Sequence, residues 1–393
     1  MTNKWVPILD GDLADSARDA IRCIAVELPT TPPIELAADL TLWWAYAADQ
    51  LGDASNRYDR ATDALIRRIE TDNRALGLHG GLAGAGWVLA HVSEDAEGVL
   101  GPIDEAVIGA IPTLEKSELV AGLAGLGVYL LERLEKSPSP AVAAGLEALV
   151  ARLDLLGIRD ADGMFWTDSS GRVDCGAAHG VPGIASVVGR IAESGYRPAA
   201  ELCRDALRWL DAHELAANPD SCFPASVVNG RSVGRPSNAW CYGDPGVAVS
   251  AWNAAIRCGA PTERWRRIAS FAAERMGDVA VPGLCHGAIG LAHLFNRCFQ
   301  SSHDLAFRDA SRRWFACGLE MRRPGHGIAG FVVQRRSADD TERWVGCADL
   351  IEGTTGIGLA LLAALGDEEP RWDRLLACDL QPMRRAGVES DSV

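Results

Sequence analysis

Apolar positions along the chain fall into two kinds of run. One kind is apolar nearly all round, as in Ala85-Gly86-Trp87-Val88-Leu89-Ala90, Leu126-Gly127-Val128-Tyr129-Leu130-Leu131, Leu291-Ala292-His293-Leu294-Phe295 and Ile357-Gly358-Leu359-Ala360-Leu361-Leu362. Such runs read as helices buried on every side. The other kind is amphipathic, as in residues 141–156 and 199–215, with charged examples at 60–70 and 257–275. Alternation of the two predicts pairs of one inner and one outer helix. Residues 1–75 read as helices throughout, and 37–51, rich in tryptophan, reads as the start of a first pair.

A short signature precedes the buried runs. Gly-x-x-G occurs at Gly81, Gly122, Gly180, Gly243, Gly287 and Gly353, with first glycines 41, 58, 63, 44 and 66 residues apart. Self-similarity at this period signals a repeat architecture. The fold class expected is all-α: an α/α toroid, or barrel, of inner and outer helices with six Gly-x-x-G stations. The repeats cover about residues 36–366 of one domain spanning 1–393, with a flexible tail at about 382–393.

The stations can be laid in one register. The residue before the first glycine is Gly80, Ala121, His179, Tyr242, His286 or Glu352, and the one before that is His79, Val120, Ala178, Cys241, Cys285 or Ile351. In a closed ring, equivalent positions face one cavity. Cys241, Cys285, His286, His179 and Tyr242 would then share a layer. Two thiols and an imidazole are the ligand set of an open zinc site: soft sulfurs, a borderline nitrogen, and a fourth position for water or substrate. His79 holds the register of the cysteines and reads either as a cavity residue or as a polar residue at a helix mouth. Glu118, four residues before Gly122, reads on its own as a surface carboxylate, and Asp349 holds the same register in the last repeat. His179 is flanked by small residues that keep its ring accessible. The irregular stretch 218–238 is placed to cover the site, and 321–347 reads as loop-rich.

Composition narrows the surroundings. The net charge of −15 argues against nucleic acid and anionic membranes as partners. Eleven cysteines, none in a Cys-x-x-Cys pair, and an N-terminus without a signal-peptide pattern point to a reducing cytoplasm. No apolar run approaches the ~18 residues that cross a bilayer, so an integral membrane protein is not expected. Most cysteines read as small buried hydrophobes; Cys175, near His179, is the exception to follow.

Trp240-Cys241-Tyr242-Gly243-Asp244-Pro245-Gly246, together with Cys285-His286-Gly287 and Ala178-His179-Gly180, resembles the LanC family, the lanthionine synthetase C-like cyclases. The resemblance runs from about residue 36 to 366. It implies one zinc per chain on Cys241, Cys285 and His286. It also implies the reaction: addition of a peptide cysteine thiol to dehydroalanine or dehydrobutyrine, forming a thioether ring in a ribosomal precursor peptide. His179 matches the family's acid/base histidine. Tyr242 is a second proton-donor candidate, and Glu118 stands where the family has aspartate. Trp240, Arg235 and Asp244 are the expected substrate contacts. The family's arginine three residues before the tryptophan is absent: Ser237 stands there, and Arg235 is the nearest arginine. The chain has no room for a dehydratase, so a separate dehydratase is expected as a partner. An alternative reading is a non-cyclising zinc and thiol-binding protein with a glutathione-type or peptide ligand. Another is a toroidal glycosidase, which requires two opposed carboxylates; the candidates near station ends are Glu118, Asp244, Asp349 and Glu352.

Overall fold

A computed structural model gives the positions of residues 4–51, 55–71, 75–215, 220–234, 236–336 and 342–382, and of Asp49 and Arg336 the backbone alone. Among the described residues, fourteen α-helices form two concentric layers, and the fold is an α/α toroid. The inner layer is α2 (Ala37–Leu51), α4 (Leu82–Val92), α6 (Leu123–Lys136), α8 (Val181–Ala192), α10 (Asp244–Cys258), α12 (Ala288–Ser302) and α14 (Thr354–Leu365). Each packs on the next, and α14 packs on α2 to close the ring. The outer layer is α1 (Gly11–Glu27), α3 (Ser55–Thr71), α5 (Glu97–Ala110), α7 (Pro140–Leu156), α9 (Arg197–Ala212), α11 (Glu263–Ala273) and α13 (Leu305–Glu320). Each outer helix from α3 to α13 packs on the inner helix preceding it, but α1 packs on α14. The seventh pair is thus assembled from both ends of the chain, and Ile8 N–H donates to the Ala364 carbonyl at 2.9 Å.

Hydrophobic pattern decides the layer. In α9, Leu202, Cys203, Ala206, Leu207, Trp209 and Leu210 form one buried stripe, with Arg and Glu outward. In α14 every residue from Thr354 to Ala364 is buried. Burial on all sides is possible only between two layers and a filled hub.

The glycine signature has a steric cause. In all six stations the first glycine is the extended N-cap of an inner helix. The second lies in the first turn, where the loop folds back on the helix: a Cβ on Gly290 would sit on the Leu284 carbonyl oxygen, and the other five second glycines meet the carbonyl six residues back in the same way. Backbone cannot yield as a side chain tip can. Gly290→Ala is therefore expected to destabilise the fold by about 1–3 kcal/mol or more, as overpacking does, read as a lower urea midpoint, while the equally helical and open Gly98→Ala does not.

The loops before the glycines are joined around the ring by backbone bonds. His79 N–H donates to the Val120 carbonyl, Ala178 to Cys241, Cys241 to Cys285 and Cys285 to Ile351, at 2.9–3.4 Å. These are the residues that share one sequence register, so four of the five steps between successive stations are hydrogen-bonded at equivalent positions.

Several boundaries differ from the sequence reading. The charged outer helix expected at 257–275 starts at Glu263; α10 runs on to Cys258 and stops where Gly259 turns left-handed, φ 71°. The stretch 218–238 is not wholly irregular. After β1 (Ile158–Arg159) and β2 (Met164–Phe165) form a small ribbon, β3 (Val173–Asp174) pairs with β4 (Ser226–Val228), which pairs with β5 (Arg231–Val233). Likewise 321–347 contains the hairpin of β6 (Val333–Arg336) and β7 (Glu342–Val345). The expected tail lies, apart from Pro382, outside the described residues.

Residues 370–381 form a plug that fills the hub, with Trp372, Asp373, Leu376, Cys378 and Asp379 buried. Arg297 grips Asp373 through both oxygens at 2.6 and 2.7 Å, and His293 adds a third bond at 2.8 Å. Arg257 pairs with Asp379 at 2.9 Å, and Arg374 with Glu132 at 3.0 Å. Buried charges cost several kcal/mol unless paired; here each acid of the plug has a guanidinium from an inner helix.

Candidate metal centre

The ladder between stations brings the two thiols together. Cys241 N–H donates to the Cys285 carbonyl at 3.2 Å, so the two residues occupy neighbouring steps at the mouth where inner helices begin. Both thiol sulfurs and a ring nitrogen of His286 lie within 4.8 Å of one another. The cysteines are half-buried and His286 is exposed. A hydrogen bond from the Cys285 thiol, then one from His286, holds the Cys241 thiol down to about 5. The same bond pushes Cys285 up, and the bond to Cys241 raises His286. One proton therefore serves two sulfurs. A second thiolate at this separation needs a cation beside it. Two sulfurs and an imidazole nitrogen suit zinc, and three protein ligands is the number that catalytic zinc sites carry.

His179 reaches the same mouth from the start of α8. Its Nδ1 bonds Glu118 Oε2 at 2.9 Å. Glu118 is in turn fixed by the N–H groups of Val120 and Ala121, both at 2.8 Å. Burial opposes ionisation of Glu118, but the bond from His179 and those backbone donors hold its carboxyl below the usual range. The Glu118 bond is also the largest cause raising His179. The imidazole is thus oriented, biased toward its charged form, and still 42% exposed. Glu118 is no surface residue; its role is invisible until the ring brings station two beside station three.

Tyr242 lies beside His179, ring centroids 6.1 Å apart. Its hydroxyl donates to Asp174 Oδ2 at 3.1 Å, and burial followed by Asp174 raises its pKa. Asp174, on β3, was missed by the sequence reading because it falls outside the station register. Cys175, next to it, is buried and pushed up to about 12 by that burial. It is a packed thiol.

Two expected substrate contacts have other duties. Trp240 is buried, and its indole N–H donates to the Leu376 carbonyl of the plug at 3.0 Å. Asp244 is buried too, and its carboxylate accepts from Ser221 Oγ and the N–H groups of Cys222 and Phe223 and pairs with Arg275 at 2.7 Å. It pins the 221–223 loop to the start of α10. Arg235 lies outside the described residues. Ser237 closes its own station, donating through Oγ to the Tyr242 carbonyl at 2.5 Å. His79 packs against Trp240, centroids 6.3 Å apart, and burial pushes it down to about 4, so it is a neutral ring beneath the site.

Glu352 shares the register of His179, Tyr242 and His286, and lines a small cleft with Cys285, His286 and Val333. Arg335 on β6 spans Glu352 at 2.5 Å and Asp349 at 3.2 Å. With Glu118 on His179 and Asp244 in its loop, each of the four carboxylates considered for sugar hydrolysis is held by a partner of its own, which counts against their use as an opposed catalytic pair. A second cluster, His293, Asp373 and Cys378, also has metal-like spacing. It is buried, and Arg297 already supplies its cation.

No helix among the described residues is long and apolar enough to cross a membrane. The family model described as lanthionine synthetase C-like protein matches residues 40–377. Among solved structures, nisin cyclase is similar at 16% identity over 93% of this chain and 98% of its own, with a TM-score of 0.72. A sugar epimerase from a ruminal bacterium (11% identity, 87% and 90% covered, TM-score 0.47) and an alpha-1,6-mannanase from Salegentibacter sp. HEL1_6 (12%, 90% and 99%, 0.48) are more distant. No curated protein matches the chain.

Proposed function

Because the chain belongs to the lanthionine synthetase C-like family, we propose that it is a zinc-dependent lanthipeptide cyclase. The observation that carries this reading is the convergence of Cys241, Cys285 and His286 within 4.8 Å, beside a histidine held by a carboxylate. The substrate is a ribosomal precursor peptide in which a separate dehydratase has made dehydroalanine or dehydrobutyrine. The three ligands would hold one zinc per chain. When bound, zinc supplies the thiolate form of a substrate cysteine, whose free pKa of ~8.5 leaves it mostly protonated at pH 7.

The chain's own residues then manage position and protons. The new bond joins sulfur to the β-carbon, and the π electrons of the dehydro residue move to the α-carbon and its carbonyl. That carbon needs a proton on one face. His179 is the donor, because Glu118 keeps it oriented and charged to higher pH than a free imidazole. Tyr242 retains its proton and gives its hydrogen bond to Asp174, which fixes the wall beside His179. Residues 240–242 and 284–286 set the distance between thiol and acceptor, and proximity is most of what such a spontaneous addition lacks. With eleven free cysteines, the protein fits a reducing cytoplasm.

The addition leaves mass unchanged, so the test is loss of free thiol. A dehydrated precursor peptide is incubated with the protein and treated with N-ethylmaleimide; ring closure appears as missing adducts by mass spectrometry. Undiminished adducts in the presence of zinc would refute the cyclase. The second reading, a thiol-binding protein, is favoured by Ser237, which presents no cation where the family has arginine. It predicts saturable glutathione binding with every adduct retained.

Raising of His179 by Glu118 has a pH signature. The protonated ring persists up to its raised pKa, so cyclisation should fall as pH rises through a value above ~6.5. Glu118→Gln removes the cause, and the falling limb of the pH–rate profile should move to lower pH with zinc content unchanged. An unmoved limb would separate Glu118 from the proton step.

A further inference from the structure

One cavity among the described residues lies away from the metal ligands. It is an open groove of about 870 Å³ between α1, α2 and α3, within the ~300–1,000 Å³ that ligand sites occupy. Its floor is apolar: Ile21 and Val26 from α1, Trp44 and Leu51 from α2, and Leu365 at the end of α14. Val26 is 75% exposed, an uncovered aliphatic at the groove's lip. Three guanidiniums edge this floor, Arg18 and Arg22 from α1 and Arg57 from α3. Arg57 is fixed, its guanidinium 5.0 Å over the Trp44 ring and its Nη1 on the Ala25 carbonyl at 2.6 Å. Arg18 and Arg22 are more than half exposed, with Asp15 at 2.8 Å and Asp19 at 3.8 Å one turn away; Asp19 is shared with Arg322 at 3.0 Å. Three cations on one apolar trough stand out in a chain of net charge −15.

We propose that this groove is a docking site for an acidic amphipathic segment of the peptide substrate, one that lies outside the part forming rings. An aliphatic face would fill the trough between Val26 and Leu365, and carboxylates would meet Arg18, Arg22 and Arg57. That the occupant belongs to the substrate rests on the cyclase reading above. The groove's place favours it. Leu51 and Leu365 end α2 and α14, whereas the metal ligands precede the starts of α10 and α12, at the other end of the inner layer. α14 alone has 12 residues, about 18 Å. A peptide held at the groove thus keeps its reacting residues at least that far away, on a tether of roughly six or more extended residues. Tethering raises the effective concentration of each successive thiol at the metal without holding any one of them there.

The test is a binding titration that does not depend on the metal. A fluorescein-labelled 16-residue helical peptide, leucine on one face and glutamate on the other, is titrated with the protein at low salt and followed by anisotropy. Saturable binding is expected, weakened at least tenfold by Arg18→Glu with Arg22→Glu, weakened also by Val26→Glu, and unchanged in Cys285→Ala. A lysine-faced counterpart should not bind. The proposal is overturned if the charge-reversed variant binds within twofold, if the lysine peptide binds equally, or if light scattering shows the groove filled by a second copy of the chain. A protein that binds the probe but closes no ring sinks the cyclase reading and leaves the groove standing; one that closes rings with the probe unbound does the reverse.

Discussion

Cys285→Ala is expected to yield a folded protein that carries no zinc and closes rings no faster than the uncatalysed reaction. Removing a partner of a hydrogen-bonded histidine or ligand costs roughly 10–100-fold; losing one of three direct ligands should exceed that, on the order of 10³-fold in metal affinity and rate. The fold should survive, because Cys285 serves the ladder through its backbone, accepting from Trp240 and Cys241 and donating to Ile351, and alanine keeps those groups. Zinc per chain by a colorimetric chelator, thermal melting and the alkylation assay give the three readouts. About one zinc in the wild type and none in the variant, at equal melting temperature, is the expected outcome. Full zinc in the variant would mean that the metal sits elsewhere.

His179→Ala should do the opposite. Its zinc stays, since His179 is not one of the three clustered donors, but cyclisation slows by about 10²–10⁴-fold, the usual worth of a positioned proton donor. The rings that do form should lose handedness at the α-carbon, because solvent can protonate either face of the enolate. Chiral analysis of hydrolysed product reads this directly. A slowed variant with unaltered stereochemistry would move the proton step to another group, with Tyr242 first in line. Single-handed product at normal rate would remove His179 altogether.

What the sequence disclosed follows from what is local. An N-cap glycine and a second glycine under a carbonyl are demands made within seven residues, so Gly243 and Gly246 announce themselves. The common register of Cys241 and Cys285 survives into the ladder for the same reason. Glu118 and Asp174 act on partners 61 and 68 positions away, and no spacing rule reaches that far. Trp240 and Asp244 show the converse: they sit inside the most recognisable motif yet serve the plug and a loop. The α2–α3 pair lacks the glycines, and its inner helix is entered directly from a 3-10 turn at Ile34–Leu36. The plug was hidden because Asp373 and Asp379 read as ordinary charges until Arg297 and Arg257 are placed around them.

The seam of the ring sets the order in which the molecule can be completed. Neighbouring inner helices are mostly 40–70 positions apart, but joining α14 to α1 and α2 pairs residues more than 300 positions apart, as in the bond from Ile8 to Ala364. Every earlier pair can form from nearby chain and wait with one flank bare. Closing entropy grows slowly with loop length, so the seam is affordable, but it comes last and depends on all six pairs being in place. Until then α2 and α14 expose flanks as apolar as the core, the kind of surface on which partly folded chains associate. The seam is therefore where refolding and aggregation compete, and α1, packed on α14 and α13 with its Ala25 carbonyl held by Arg57 of α3, is what covers it.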